Sequence, residues 1–498
     1  MDKPDSIIGR DLEWQVLERF LGSGGDGALR IGIVSGRRRA GKTHLLAAAA
    51  GAVGGLYHAC VQEEGDLAAR ARFATAVSAH GGITGGAAAD WESLLVTALD
   101  VAARTAPAGR APLLVIDEFP YAMAKAPQLP GILQLLFDRA QRGEGPGGRV
   151  ILCGSALSVM RELLSGTRPL RGRAMVDLQL GPLDYRQTAD LWGIADPETN
   201  LKVHACVGGY PGYRQLIDRT PQSPAEFEQW VPDTLLSKGL GVFTTAEVDY
   251  LLREDPRISD RSAYYDVLGA ISRGSTSLAK IGAETGRSKD AVRPLLRTLE
   301  STGYVARRAD LVRGRSSISV RDPVIRFDRL ITAPRLGQLD LGRSEQVWGA
   351  MRDTFRSQIL GPHFEELARE WVHRFAPEDL GRPEGFGEVG TANVHDNAGR
   401  AKYEVDVLAL QGKAVTFIGE AKATGQRQGT GALERLRDIA GMLTGMGYRT
   451  EHAVFGVFSL TGFTSELGAA ADRDPRVALL DLDRLYGVRR RPDPQDRP

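Results

Sequence analysis

Apolar and polar residues follow different patterns along the chain, and the first pattern occupies its N-terminal part. Residues 29–36 (LRIGIVSG), 113–119 (LLVIDEF) and 150–156 (VILCGSA) are short, mostly apolar runs. Runs of this length are typical of strands buried on both faces, and the Ala/Leu-rich helical segments between them favour a parallel sheet covered by helices. We therefore predict an α/β domain over residues 1–185.

Strand-like runs stop after residue 185, and helical patterning takes over. Residues 186–254 predict several short amphipathic helices, interrupted by prolines and by the sequence GGYPG. Within residues 255–330, three helical segments precede YVARRADLVRGRSSISV, which predicts a two-stranded wing, so this part is typical of a winged helix-turn-helix. Residues 331–350 contain PRLGQLDLGRSE, a sequence typical of a linker.

The last part of the chain returns to strands. Residues 403–424, YEVDVLALQGKAVTFIGEAKAT, predict two short strands joined by a tight turn. A helix-rich segment precedes them, and a helix is predicted over 430–446. We predict a second α/β domain over 351–490 and a flexible tail over 491–498, because the tail sequence is rich in proline and charge.

Composition and charge narrow the classes of protein. A chain of 498 residues is too long for one core, so we expect about three domains, and its 42% apolar and 25% charged residues exclude a disordered chain. The net charge of +1 gives no global field that attracts a polyanion, so any nucleic-acid surface must be a local patch. Cys60, Cys153 and Cys206 are too widely spaced for a zinc quartet or a disulfide framework. Because no run is long enough to span a membrane and MDKPDSIIGR lacks a signal pattern, we predict a cytoplasmic protein with no membrane partner.

The sequence GRRRAGKT, residues 36–43, fits the phosphate-binding loop G-x-x-x-x-G-K-[ST] at every position. It follows a predicted strand and opens a predicted helix, a context in which backbone N–H groups and the helix dipole surround phosphates. In this motif Lys42 reaches the β- and γ-phosphates of ATP, and the Thr43 hydroxyl binds Mg²⁺. The predicted nucleotide-binding residues of this loop are Gly36, Arg39, Ala40, Gly41, Lys42, Thr43 and His44.

Two adjacent acids close the second apolar run. Carboxylates seldom lie at the end of a buried strand without a cation, so we predict that Asp117 holds Mg²⁺ and that Glu118 polarises the attacking water. Ser155, which closes the third run, could contact the γ-phosphate or that water. A serine that only ends a strand in a turn explains the same local sequence equally well.

Several sequence boxes occur in the order seen in archaeal-type ATPases of the AAA+/STAND group, which this chain resembles from its start to about residue 330. The boxes are SIIGRDLEWQVLERFL, GRRRAGKTHLL, LLVIDEF, GSALSVM, PLRGRA and GGYPGYRQLI. The resemblance implies a P-loop NTPase sheet with a helical lid, Arg10 near the nucleotide base and Arg173 near the phosphates. The family usually has an aromatic residue at Arg171, so which arginine acts stays open, and a surface arginine in a loop is the alternative.

A basic stripe marks the last predicted helix of the winged region. Lys289, Arg293 and Arg297 recur at four-residue steps, and Arg313 and Arg315 lie in the wing. This arrangement fits phosphate contacts along a DNA groove, so we predict DNA as a partner. A protein-contact module or a solvated basic face are the alternatives.

Three acids and a lysine form a candidate metal site in the last domain. Glu365 lies beside the apolar face of the helix HFEELAREWV, Asp406 interrupts one apolar strand, and Glu420 and Lys422 share a face of the next. An acid from each strand and one from the helix would make a hard oxygen site suited to Mg²⁺ or Mn²⁺. Lys422 could then activate water or stabilise charge on a phosphate. A solvent-facing Glu/Lys pair is the alternative for the same residues.

The order of helix Glu, strand Asp and E-x-K resembles the PD-(D/E)xK restriction-endonuclease-like nucleases, which archaeal-type ATPases commonly carry at their C-terminal end. VRDPVIRFDRLI, residues 320–331, matches the junction that precedes such a domain. The resemblance implies that residues 351–490 form a metal-dependent nuclease domain.

These predictions give one fold class and two functions. The fold class is α/β: a P-loop NTPase parallel sheet with a helical lid, a winged helix-turn-helix, and a C-terminal α/β restriction-endonuclease-like domain. The first function is an ATP-hydrolysing, ATP-regulated DNA endonuclease. The second is a nucleotide-gated, STAND-like regulator with a non-catalytic C-terminal domain. The DNA structure recognised, the pathway and the oligomeric state, including a homo-oligomer, stay open.

Overall fold

The computed structural model describes residues 1–22, 27–82, 90–239, 247–258, 260–395 and 402–488. The tail predicted over 491–498 lies outside these ranges. The chain divides into two units. The first comprises Met1–Leu183, Tyr210–Leu216 and Tyr250–Ser259, and the second comprises Asp184–Gly209, Ile217–Asp249 and Asp260–Pro498.

A five-stranded parallel sheet with the order β2-β3-β4-β1-β5 forms the centre of the first unit. Its strands are β1 (Leu29–Gly36), β2 (Leu56–Ala59), β3 (Leu113–Asp117), β4 (Gly148–Gly154) and β5 (Ala174–Leu180). Its helices are α1 (Asp11–Gly22), α2 (Lys42–Ala52), α3 (Asp66–Gly81), α4 (Trp91–Thr105), α5 (Phe119–Lys125), α6 (Leu129–Gln141) and α7 (Leu157–Leu163). The α/β domain with a parallel sheet is therefore confirmed.

Alternate residues of the central strands face opposite sides of this sheet. Leu114 and Ile116 of β3 pack in one hydrophobic cluster with α3, α4 and α6, whereas Leu113 and Val115 pack in another with α1 and α2. Burial on both faces explains why the central strands are continuous apolar runs in the sequence. The same parallel order brings the carboxyl ends of β1, β3 and β4 to one edge of the sheet, which places the candidate nucleotide site.

Helices make up the first part of the second unit, and a mixed sheet makes up its last part. The helices that follow β5 in the chain are α8 (Tyr185–Trp192), α9 (Pro197–Val207), α10 (Pro224–Trp230), α11 (Glu247–Arg253), α12 (Arg261–Ser272), α13 (Leu278–Thr285), α14 (Lys289–Ser301), α15 (Pro323–Phe327), α16 (Leu336–Asp340), α17 (Ser344–Thr354), α18 (Gly361–Arg374), α19 (Ala376–Asp379), α20 (Thr430–Gly445), α21 (Ser465–Arg473) and α22 (Leu482–Tyr486). None of the helices in the described ranges combines the length and apolar character needed to cross a bilayer.

The strands of the second unit form a hairpin and a five-stranded sheet. The hairpin pairs β6 (Val305–Ala309) with β7 (Ser316–Val320). The sheet strands are β8 (Glu388–His395), β9 (Lys402–Gln411), β10 (Ala414–Lys422), β11 (Val454–Ser459) and β12 (Val477–Leu480). Their order is β12-β11-β10-β9-β8, with antiparallel pairing from β8 to β10 and parallel pairing from β10 to β12.

The structure corrects the linker prediction for residues 331–350, which are largely helical in α16 and α17. The ring of Trp348 is fully buried, with ring centroids 6.1 Å from Phe227 and 5.3 Å from Phe355. Its indole Nε1 also donates to Glu228 Oε2 at 3.0 Å. Because these large side chains bury apolar surface against the helices around α10, the segment folds as part of the second unit.

The turn of the β6–β7 hairpin is held by the edge strand β8. Asp310 Oδ2 accepts from the backbone N–H of Asn393 at 3.0 Å, and Leu311 N donates to the Thr391 carbonyl at 3.0 Å. The Leu311 side chain packs against the hydrophobic cluster of the five-stranded sheet. The β6–β7 hairpin and the C-terminal sheet are therefore joined by both polar and apolar contacts.

The Glu366 carboxylate of α18 binds arginines from two other elements of the second unit, α15 and β6. It accepts from Arg326 of α15 at 3.0 and 3.1 Å and pairs with Arg308 of β6. Its neighbour His363 lies 3.8 Å away and shares a 2.8 Å hydrogen bond with His204 of α9. Burial would raise the pKa of Glu366, but the two arginines outweigh it and hold this pKa well below its ordinary value. Burial lowers the pKa of both histidines, so they are neutral at pH 7.

Candidate functional site

The GRRRAGKT loop lies at the carboxyl edge of the first sheet, between β1 and α2. Gly41 has φ 85°, and a Cβ on Gly36 would lie 2.8 Å from the Leu180 carbonyl oxygen, so both positions require glycine. Arg39 also has a left-handed φ of 72°, which is strained for a residue with a side chain. Because α2 begins at Lys42, the first N–H groups of the helix are directed towards the loop.

The Lys42 ammonium is folded over the loop. Its side chain is only 5% exposed, and Nζ donates to the Gly36 carbonyl at 2.8 Å and to the Arg37 carbonyl at 3.3 Å. Carbonyl oxygens are neutral acceptors, so anionic phosphate oxygens would be stronger partners for this cation. The arrangement can therefore bind phosphates.

Thr43 and Asp117 meet at the edge of the sheet. Thr43 Oγ1 donates to Asp117 Oδ2 at 2.7 Å, the Tyr57 hydroxyl donates to the same oxygen, and the Glu118 N–H donates to Oδ1 at 2.9 Å. Burial would raise the pKa of Asp117, but hydrogen bonds from Cys153, Tyr57 and Thr43 outweigh it and lower this pKa. A hydroxyl and an ionised carboxylate at this separation are the hard oxygen ligands that Mg²⁺ prefers, so these residues fit that ion.

Glu118 and Ser155 also come together here. Glu118 Oε2 accepts from the Ser155 N–H at 3.2 Å and from its Oγ at 3.0 Å. Glu118 has φ 51°, an unusual backbone angle for glutamate, which directs the chain from β3 into α5. Ser155 thus orients Glu118, a contact that neither prediction for this serine contained.

Arg10 and Arg173, the two arginines assigned through the family resemblance, form hydrogen bonds or ion pairs within the chain. Arg10 is 7% exposed, and its Nη2 donates to the carbonyls of Ala40 at 3.1 Å and Gly181 at 2.6 Å, so it braces the loop. Arg173 makes a two-bond ion pair with Asp138 of α6, at 3.0 and 3.1 Å. The structure therefore gives both side chains a structural role, and the nucleotide contacts assigned to them stay predictions. His44 is exposed on α2.

The GGYPG sequence packs against the phosphate-binding loop. Residues Tyr210–Leu216 belong to the first unit, and Gly212 N donates to the Arg39 carbonyl at 3.0 Å. The Arg37 guanidinium lies 4.2 Å from the centroid of the Tyr210 ring. In the sequence, GGYPG indicates an interruption of the helices predicted over 186–254 and forms part of the family resemblance, but neither signal specifies its contact with the phosphate-binding loop.

In the second unit, Asp406 and Glu420 share the ammonium of Lys422. Lys422 Nζ lies 3.0 Å from Glu420 Oε1 and 3.8 Å from Asp406 Oδ2, and both carboxyl residues are 8% exposed. Asp406 Oδ2 also accepts from the Ala421 N–H at 2.9 Å. Glu420 Oε2 is buried without a hydrogen-bond partner, an energetically unfavourable state that a bound cation would relieve.

Glu365 does not complete a three-carboxylate site with these acids. Over the ranges that the structure describes, no group of three or more His, Cys, Asp or Glu side chains is placed to hold a metal ion. Glu365 nevertheless acts on the cluster electrostatically, because burial, followed by the charge of Asp406, raises its pKa to about 7. Burial likewise raises the pKa of Asp406.

Two arginines that the sequence analysis missed adjoin this cluster. Arg369 Nη1 donates to the Asp406 carbonyl at 2.7 Å, and Arg435 Nη1 lies 3.7 Å from Glu420 Oε1. Arg369 was visible as a charge next to the apolar stripe of α18. Arg435 had no local signal, because its contact depends on how α20 packs on β10.

The predicted DNA-binding residues fall into two groups. Lys289, Arg293 and Arg297 are exposed on α14, and in the described part of the chain none of them has a side-chain hydrogen bond or ion pair. In the turn between β6 and β7, Arg313 Nε donates to the Asn393 carbonyl at 3.1 Å, whereas Arg315 is exposed. The stripe on α14 is thus accessible, and the docked turn commits Arg313 to the C-terminal sheet.

No protein-family model matches the chain, and no curated protein matches it. Solved structures do match it. The Walker-type ATPase of Pyrococcus abyssi is 15% identical, and the match covers 66% of this chain and 97% of that one, with a TM-score of 0.48. The ORC2 protein of Aeropyrum pernix, in its ADPNP–ADP complexes, is 13% identical over 71% of this chain and 97% of that one, with a TM-score of 0.46. The ORC1 protein of the same organism, in complex with DNA, is 16% identical over 68% and 95%, with a TM-score of 0.33. At these identities and TM-scores, the function proposed for this chain rests on its own residues.

Proposed function

We propose that the chain is a P-loop ATPase that binds ATP with Mg²⁺ at the GRRRAGKT loop and hydrolyses it. The observation that carries this proposal is the meeting of Thr43 and Asp117, 2.7 Å apart, beside a loop whose lysine is buried over the backbone. Glu118 directly follows Asp117 at the end of β3. Its carboxylate completes a site in which Lys42 contacts phosphate, Thr43 and Asp117 hold the metal, and Glu118 contacts water.

Each group has a distinct task in hydrolysis. Lys42 exchanges its carbonyl contacts for β- and γ-phosphate oxygens, and Thr43 and Asp117 hold Mg²⁺, which when bound would neutralise phosphate charge. Water attacks the γ-phosphorus as the bond to the ADP oxygen breaks, and Glu118 accepts the proton of that water. The hydrogen bonds from Ser155 keep the Glu118 carboxylate aimed during this step.

Replacing Lys42 with alanine tests nucleotide binding. The variant loses the buried cation, so we expect MgATP affinity to fall by about tenfold or more, the loss that corresponds to about 1.4 kcal/mol or more. Calorimetric titration of the full chain with MgADPNP measures this change. Lys125→Ala, which removes an exposed lysine of α5, is the matched control and should bind as the wild type does. Equal affinities of the Lys42 variant and the wild type would refute the proposal.

As a second function, we infer that the Asp406–Glu420–Lys422 cluster cleaves DNA with the help of a divalent cation. The partnerless, buried Oε2 of Glu420 favours this function over a purely structural salt bridge. Mg²⁺ or Mn²⁺, when bound, would supply positive charge at the scissile phosphate. Lys422 would stabilise the negative charge that develops on that phosphate, and the accessible stripe on α14 would hold the DNA backbone through sequence-independent contacts.

A metal titration combined with a cleavage assay tests this second function. Asp406→Asn and Glu420→Gln should each weaken Mn²⁺ binding, and each should slow nicking of supercoiled DNA by about tenfold or more, because each removes one anionic ligand. Glu388→Gln, which changes an exposed residue at the start of β8, is the matched control. If the wild-type chain binds no Mn²⁺ and leaves DNA intact with and without ATP, the alternative is a nucleotide-gated regulator. In that case ATP should still change DNA affinity.

A further inference from the structure

A segment distant in sequence reaches the phosphate-binding loop. Residues of Tyr250–Ser259 belong to the first unit, and Glu254 Oε1 lies 3.4 Å from Nη1 of Arg38, the third residue of the GRRRAGKT motif. The Arg38 guanidinium is also 5.7 Å from the centroid of the Tyr250 ring. On the other side, Ser158 of α7 donates to Asp255 at 2.9 Å, so the segment is fixed at two places.

Glu254 is a mostly buried carboxylate beside the phosphate-binding loop. Its side chain is 11% exposed, whereas that of Arg38 is 47% exposed, so the buried partner of this pair is the carboxylate. Burial raises the pKa of Glu254, the cations of Arg38 and Lys42 act to lower it, and the charge of Glu118 raises it further. Glu254 therefore interacts electrostatically with both Lys42 and Glu118, which the proposed ATPase mechanism uses.

We propose that Glu254 competes with the γ-phosphate of a nucleoside triphosphate for the cations of the loop, and so sets the preference of the site between triphosphate and diphosphate. This inference rests on the ATPase function proposed above. A carboxylate and a phosphate are alternative anionic partners for a guanidinium. An incoming γ-phosphate places further negative charge beside Glu254, which must move away for Arg38 to change partners.

The competition links nucleotide state to the chain that follows. ADP brings no γ-phosphate, so the Arg38–Glu254 ion pair persists when ADP binds. A triphosphate releases Glu254 and so removes one of the two contacts that fix the segment preceding α12, the first helix of the region that carries the basic stripe. Loss of the Arg38–Glu254 ion pair on binding of the γ-phosphate is therefore transmitted along the chain from Glu254 to α12.

Two substitutions with opposite expected effects test this competition. In Glu254→Gln the competing charge is gone, so MgADPNP should bind about fivefold or more tighter, while MgADP affinity stays within about twofold. In Arg38→Gln the Glu254 charge stays but its partner is lost, so MgADPNP should bind more weakly. A purely structural ion pair would move both variants in the same direction, and that result would overturn the proposal.

Calorimetry on the full chain separates the possible outcomes. Glu92→Gln, which breaks the Arg139–Glu92 ion pair elsewhere in the first unit, is the matched control and should leave both affinities unchanged. If the wild type binds both nucleotides and Glu254→Gln keeps their affinity ratio, the competition is refuted while the ATPase proposal stands. Wild-type protein that binds neither nucleotide would instead refute the ATPase proposal. Hydrogen exchange over 250–258 should rise with MgADPNP and not with MgADP.

Discussion

Replacing Glu118 with glutamine is expected to lower kcat for ATP hydrolysis by about 10²- to 10⁴-fold, the range for a positioned general base. The glutamine keeps the size of the side chain and can still accept from Ser155, so the site geometry is preserved. What is lost is the negative charge that accepts the proton of the attacking water. MgATP affinity should change by no more than about threefold, because Glu118 does not hold the phosphates in this mechanism. Single-turnover hydrolysis and a separate binding titration measure the two quantities.

Ser155→Ala supplies the graded comparison for this result. It removes the 3.0 Å hydrogen bond from Oγ but keeps the backbone N–H that donates to Glu118 at 3.2 Å. We therefore expect a smaller loss of kcat, about tenfold or less, since the base is still present and only less well oriented. Turnover in the Glu118 variant that matches the wild type would show that another group activates the water. A variant that no longer binds ATP would assign Glu118 to binding rather than to proton transfer.

Sequence patterns placed the three central strands of the first sheet and missed its two edges. β1, β3 and β4 are buried on both faces, which leaves a continuous apolar run that can be recognised locally. β2 has only four residues, too few to distinguish from a loop. β5 alternates partly buried and exposed positions because it lies at the sheet edge, and its sequence AMVDLQL carries polar residues where a buried strand would not.

The candidate nucleotide site shows the same division between local and distant information. Lys42, Thr43 and Asp117 could be identified because a motif and a strand end each carry their own signal. Tyr57 and Glu254 could not, since their contacts join residues 60 and 216 positions apart. Such contacts depend on the order of strands and on the path of the chain, and a single sequence contains no pattern that specifies either.

In the C-terminal sheet, strand alternation correctly placed Glu420 and Lys422 on one face, since their side chains lie 3.0 Å apart. The role of the acids on the helix α18 could not be predicted in this way. Glu365 and Glu366 are adjacent on α18, and no sequence pattern distinguishes Glu366, which joins an arginine network, from Glu365, which lies near Asp406. Consecutive residues on a helix point about 100° apart, so packing decides which carboxylate meets which partner.

Replacing Glu366 with alanine is expected to destabilise the second unit by about 3 kcal/mol, the lower end of the range for breaking a buried ion pair. The substitution leaves Arg326, which is 6% exposed, and Arg308 without their shared carboxylate. It also removes the acid beside His363, which contacts His204 of the helical region. α15 and β6 lose their shared partner on α18, and α9 is affected indirectly through His363 and His204, so the effect should extend from α9 to β6. Urea unfolding followed by hydrogen exchange of α18 measures both the size and the location of the loss.

Glu365→Ala is the matched control for this prediction, because it makes the same substitution at the neighbouring residue of the same helix. The Glu365 carboxylate has a pKa of about 7, since burial and the charge of Asp406 disfavour its ionised form. Arg369 Nη1 lies 4.0 Å from Glu365 Oε2, and the Glu365 side chain is 38% exposed. Removing this partly exposed carboxylate should change the free energy of unfolding by about 0.5 kcal/mol or less. Above pH 7, where the unfavourable charge is present in the wild type, the variant should be the more stable of the two. Similar losses in the two variants would show that α18 packing, and not the Glu366 ion pairs, holds these elements together.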